Sequence, residues 1–187
     1  MKQGGVTLTQ HEYVFVAVSI ILGLALTRLL HNVGILIRAF KRVTFHWATA
    51  VWGLSIMAYA LQLWWVGWGL RGIEEWSFID FLVLIFGSIC IYVAAEMAMP
   101  GTEEEGEINF LNHSQHLGKL SALAMMVYFL IGPYVNLVMY HNPLAPALAV
   151  PSIGVLITGL IIYEPKWFKA LSAIFALYSI GVLYLTA

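Results

Sequence analysis

Arg28 stands in the middle of an apolar run, within LGLALTRLLHNVG at residues 22–34. A guanidinium near the centre of a bilayer costs roughly 2.5–3.5 kcal/mol on insertion scales, so such residues face a bundle interior and pair. The ionisable carboxylate clearly inside an apolar run is Glu96, in YVAAEMAMPG. Arg28 precedes Arg38 by ten residues, about 15 Å along a helix. An arginine can snorkel several ångströms toward that end, so the two charges have compatible depths and are expected to pair. His31 and Asn32 follow Arg28 at i+3 and i+4, and Tyr92 precedes Glu96 by four, so each shares a helix face with its charge. The predicted polar cluster is Arg28, His31, Asn32, Tyr92 and Glu96. Its chemistry is electrostatic: a clamp that sets helix register, or a gate that responds to protons or ions. Two amides in later apolar runs, Gln62 and Asn136, are candidates for lining a path.

Other chemistries have thinner support. His113 and His116 are spaced i, i+3 after an acidic run of Glu103, Glu104, Glu105 and Glu107. Two histidines and a glutamate make weak metal candidates, and no metal is expected. More simply, residues 108–117 form a short interfacial helix, with Ile108, Phe110, Leu111 and Leu117 dipping into the headgroups. The acidic run then reads as a solvated patch for a basic partner. Metalloprotease, nucleophile-elbow and phosphate-loop motifs are all missing from the sequence, so an enzyme is not expected and no cofactor is assigned. Trp47 on one side, and Trp64, Trp65, Trp68 and Trp76 on the other, fall near predicted helix ends and read as interfacial belts. Ser19, Gly23 and Thr27 form a small-residue stripe; Gly154 with Thr158, and Ala170, Ala173 and Ala176, repeat the theme. Packing within the chain is the simpler use of these, and a subunit interface the sharper one.

The elements that must position these residues are membrane helices. Of 187 residues, 61% are hydrophobic and only 10% charged, too few charges to coat a soluble surface. The net charge of −1 gives no argument for nucleic acid. Six apolar segments are long enough to cross hydrocarbon: about 13–37, 47–70, 77–99, 119–140, 146–163 and 167–185. The fifth is punctuated by Pro146, Pro151, Gly154 and Gly159, so a re-entrant segment is its alternative. Cys90 lies inside a run and reads as a packing residue. Only Lys2 precedes the first run, which is too long for a signal peptide and is expected to persist in the mature protein.

Arg38, Lys41, Arg42, Lys119, Lys166 and Lys169 fall in odd-numbered loops, against Lys2 and Arg71 on the other side. That bias places loops one, three and five in the cytoplasm and both termini outside. The expectation is therefore one all-α transmembrane domain over residues 1–187, in a bacterial inner membrane. Its partners would be the lipid bilayer and either copies of itself or another protein. Two functions follow: an oligomeric channel or small transporter-like unit whose polar cluster packs or gates the bundle, or an accessory, sensor or anchor subunit that binds a partner through its cytoplasmic loops.

Overall fold

The first apolar run folds as one helix, α1 (Gln10–Arg38). Its start is a capping box: the Thr9 amide donates to the Glu12 carboxylate, and the Glu12 amide donates back to the Thr9 hydroxyl. Its buried residues Val14, Val18, Leu22, Ala25, Leu29, Asn32 and Leu36 recur at steps of three and four, the spacing of a narrow packing seam. The opposite face, with Tyr13, Val16, Ile20 and Leu24, is exposed. The computed structural model describes residues 9–38, 41, 43–73, 75–100 and 108–186.

Five more helices cross. They are α2 (Trp47–Gly69), α3 (Phe78–Ala98), α5 (Gly118–Tyr134), α6 (Leu144–Tyr163) and α7 (Phe168–Thr186). A π turn over Val135–Met139 extends α5. The Ser77 and Asp80 side chains form the capping box of α3. Between α3 and α5 lies a short α4 (Phe110–His116). Just before it, β2 (Ile108–Asn109) pairs in parallel with β1 (Val43–Thr44), joining the loops before α2 and α4. Among the described residues six helices are long and apolar enough to cross a membrane, and the protein is an integral membrane protein with an all-α bundle fold.

Helix α2 packs on α3 and α7, α3 on α5, α5 on α6, and α6 on α7. These five close into a ring, and α1 lies outside it against α2 and α3. The docking of α1 needs Gly67, where any Cβ would overlap the Phe15 ring. The contact of α5 with α6 needs Gly154, whose Cβ would stand 2.6 Å from the Phe129 ring.

The fifth span is a full helix, not a re-entrant segment. Pro151 removes one N–H donor from α6, but its ring packs against the bare backbone of Gly132 on α5. Gly154 and Thr158 thus serve packing within the chain, and Thr158 bonds back to the Gly154 carbonyl. In α7 the packing face is Phe168, Leu171, Ser172, Phe175, Ser179 and Val182 rather than the alanines. The rings fill an interior that small residues would leave open. A Cβ on Gly23 would meet nothing within 4 Å, so this part of the α1 stripe is unused within the chain.

Cross-links between helices fix the levels. At one end, His11 Nε2 lies 2.9 Å from the Gly67 carbonyl, and the Trp76 amide donates to Gln10. At the other, Arg28 meets Glu96. Eighteen residues of α1 separate Gln10 from Arg28, about 27 Å, nearly the whole hydrocarbon thickness. Arg28 is therefore level with the last turn of α3, and α1 continues about ten residues beyond it.

Candidate functional site

Two arrangements of polar residues occupy opposite ends of the bundle. The first is the seam between α1 and α3. Arg28 Nη2 lies 2.6 Å from Glu96 Oε1, with the side chains 41% and 26% exposed. Arg28 Nε is buried without a hydrogen bond. Asn32 is buried, Tyr92 is half-buried and His31 is exposed. No described hydrogen bond ties these three to the ion pair, so the five-residue cluster contracts to a pair. The reason is angular. At about 100° per residue, positions i+3 and i+4 fall on either side of Arg28, and the seam runs on the Asn32 side.

Beside this seam a polar zipper closes the same end of the ring. Trp52 Nε1 donates to Ser121 Oγ at 2.9 Å, and Ser121 donates to the Ala94 carbonyl at 2.7 Å. The Thr49 and Ser114 hydroxyls are 2.6 Å apart. Helix α4 is therefore tied to the bundle end, while Leu117 after it is exposed; the side chains of Ile108 and Phe110 lie outside the described residues. Ser114 and His113 are buried, and Leu111 packs against the core. The physical cause is that α4 carries hydroxyl and imidazole groups that meet the Thr49 hydroxyl on α2 and the Met97 carbonyl on α3. His113 Nε2 lies 3.3 Å from the Met97 carbonyl, while His116 is exposed. Among the described residues no group of three His, Cys, Asp or Glu side chains converges. Glu103, Glu104, Glu105 and Glu107 lie outside the described residues. His46 caps α2, its Nδ1 accepting from the Ala48 amide at 3.2 Å. Burial, and then the Lys169 charge, hold this imidazole below the usual histidine range.

The second arrangement is a cavity of about 640 Å³ inside the ring, at the end where α2, α5 and α7 finish and α3 and α6 begin. Its floor is Tyr59, Tyr128, Phe129 and Tyr178; its walls include Gln62, Gly87, Val135, Asn136, Ala147 and Val150. Trp65, Trp68, Gly69, Asn142 and Thr186 border the mouth. From Tyr59 to Gly69 is ten residues of α2, so the cavity reaches about 15 Å inward, half the hydrocarbon thickness. Below the floor, aromatic rings fill the axis. Tyr59 and Phe129 meet edge to face at 5.2 Å, and Phe175 lies 4.6 Å from Trp52. Trp52, Tyr59 and Phe175 are all at most 2% exposed.

The two path-lining candidates, Gln62 and Asn136, both line this cavity. Gln62 donates to Thr186 at 3.2 Å, and Asn142 donates to Asn136 at 3.0 Å. Asn136 belongs to the π turn, a form that recurs at functional sites. The Tyr178 hydroxyl donates to the Val150 carbonyl at 2.8 Å, and that of Tyr140 to the Val66 carbonyl. No Asp, Glu, Lys, Arg or His is among the described lining residues.

Trp47, Trp64, Trp65 and Trp68 are exposed near helix ends, and Arg71 stacks over Trp68 at 4.4 Å. Trp76 turns inward instead, 6.0 Å from His11 and 6.3 Å from Phe15, because α1 starts beside it. Sequence reasoning passed over Trp52 and the tyrosines of the floor. Their signal was available: Trp52 and Tyr59 are seven apart on one face of α2, as are Phe168 and Phe175 on α7. Comparison with known protein families, with curated proteins and with solved structures finds no match.

Proposed function

We propose that this chain is a small transporter-like membrane protein that receives its ligand in the cavity of the five-helix ring, and that Arg28–Glu96 is a clamp, not a gate. One observation carries this reading: the cavity ends blindly on packed aromatic rings halfway through the bundle. A channel needs a continuous wet path, whereas one-sided access to a site near the midplane is what alternating access requires. The ion pair supports the same reading by its place, outside the ring on the α1–α3 seam. With loops one, three and five in the cytoplasm, the cavity opens outward.

The test is labelling with a membrane-impermeant maleimide in a Cys90→Ser background. Cysteines placed at 62, 136 and 142 should react from the outer face, and one placed at 121 should not. Planar-bilayer recordings of the reconstituted chain should show no unitary conductance. Reaction at 121 from the outer face, or discrete conductance steps, would overturn the reading in favour of a pore.

A further inference from the structure

The lining of the cavity selects by charge and by direction. Among the described lining residues the polar atoms are neutral amides and hydroxyls, with no acidic, basic or imidazole side chain. An ion entering would leave its hydration shell for a place without a counter-charge. The polar groups also cluster. The amides Gln62, Asn136 and Asn142 and the Thr186 hydroxyl lie in the mouth half; the deep half is aromatic, where the Tyr178 hydroxyl is bonded to the Val150 carbonyl and the Tyr59 hydroxyl is buried without a hydrogen bond. Gln62 is only 8% exposed and spends one N–H on Thr186. The rest of its amide has no described protein partner. A buried amide half-used at the wall of an apolar chamber calls for a hydrogen-bonding group from a ligand. The mouth carries Trp65 and Trp68, each 62% exposed. Their amphipathic rings favour the headgroup level, so the entrance lies where the head groups of amphiphiles already reside.

We infer that the cavity takes an uncharged amphiphile, apolar end first, with its head group hydrogen-bonded to Gln62; this rests on the cavity-binding reading above. A volume of about 640 Å³ lies within the range of sites for small organic molecules, roughly 300–1,000 Å³. The aromatic floor stops the apolar end at about the midplane. Gln62 holds the polar end at the mouth, so the molecule sits upright with its head at the interface.

The experiment uses the full chain in phosphatidylcholine nanodiscs, titrated with a tritiated monoacylglycerol. The fatty acid and the alkyltrimethylammonium of the same chain length serve as competitors at neutral pH. Saturable binding of the neutral probe is expected, with both ions weaker by about tenfold or more. Gln62→Leu should weaken the neutral probe by about tenfold, the loss expected when a buried hydrogen bond to the head group disappears. Gly87→Leu should abolish binding, since a Cβ there stands 3.8 Å from Tyr128, in ordinary contact, and the rest of the side chain fills the chamber. Val150→Trp is a second filler should the first fail to give monodisperse protein. An ion that binds as well as the neutral probe, or a Gln62→Leu protein that binds unchanged, overturns the ligand class. If such binding is still lost on filling, the cavity reading survives. No saturable binding of any of the three probes, or binding that survives both fillers, overturns the ligand class and the cavity reading together.

Discussion

Replacing Arg28 and Glu96 by alanine, singly and together, measures what the ion pair contributes. Two unit charges about 4 Å apart at an effective dielectric of about 20 attract by roughly 4 kcal/mol, an upper bound. The pair is neither buried nor free: its side chains are 41% and 26% exposed. Exposed pairs couple by about 0.2–1 kcal/mol, and breaking a fully buried pair costs about 3–5 kcal/mol. The expected coupling is therefore about 1–2 kcal/mol, nearer the exposed limit. The single variants should differ. Glu96 lies in the last turn of α3, where a negative charge opposes the helix dipole by about 0.3–1 kcal/mol. Arg28→Ala leaves that carboxylate uncompensated and should be the more damaging change. Glu96→Ala leaves an arginine that can reach water. The assay is equilibrium unfolding of the full chain in mixed micelles, run as a double-mutant cycle. Strict additivity would refute the pairing, and equal single losses of about 3–5 kcal/mol each would refute the partial exposure on which the figure rests.

Gly154→Ala should destabilise by about 1–3 kcal/mol, since its Cβ meets the base of the Phe129 ring at 2.6 Å, whereas Gly23→Ala, with open space at its Cβ, should be neutral or stabilising by up to about 1 kcal/mol; thermal unfolding of both in one detergent gives the comparison. Trp52→Phe should cost about 1 kcal/mol through the lost bond to Ser121, which keeps its own bond to Ala94, and Trp52→Ala about 3–5 kcal/mol; a Trp52→Phe protein of unchanged stability would show that the indole N–H contributes nothing. The lowered folded-state pKa of His46 gives a pH dependence of defined sign. Its contribution is fully present above the unfolded value of about 6.5 and is lost as pH falls through the lower folded value, because a protonated Nδ1 cannot accept from Ala48. Thermal midpoints measured across that window should fall in the native chain and stay flatter in His46→Asn, which keeps a cap without titrating; parallel curves would show that another group is responsible.

The six spans were legible because each is a long apolar run, and runs of that length have few alternatives. Their ends were legible to within a few residues, since the flanking residues are turn formers or charged. Depth was harder to read. A run of apolar residues does not say which level of a neighbouring helix each residue meets, and it is the contact with Glu96 that puts Arg28 level with the last turn of α3. Faces were harder still. The alanines of α7 looked like a contact face, but Phe168 and Phe175 occupy the interior, since burying a ring removes more apolar surface than burying a methyl. The cavity left no signature in one dimension. It arises where five helices meet, and Gln62 and Asn136 approach it from helices 74 residues apart in the chain. That both amides were singled out reflects a general cost: an amide in hydrocarbon must have company.

The overhang of α1 bears on the membrane the protein can inhabit. Helix α3, with 21 residues, is about 31 Å long, and α1, with 29, is about 43 Å. The body of the bundle is thus matched to a bilayer of ordinary thickness. Past the ion pair, α1 still presents Leu30, Val33 and Ile37 on its exposed side. In a thicker bilayer those residues supply spare hydrophobic length, and the mismatch is absorbed by immersing them without tilting the ring. In a thinner one α3 has no length to give, and the acyl chains must shorten around Glu96. Tolerance of bilayer thickness is therefore one-sided, set by the one helix that stands outside the ring.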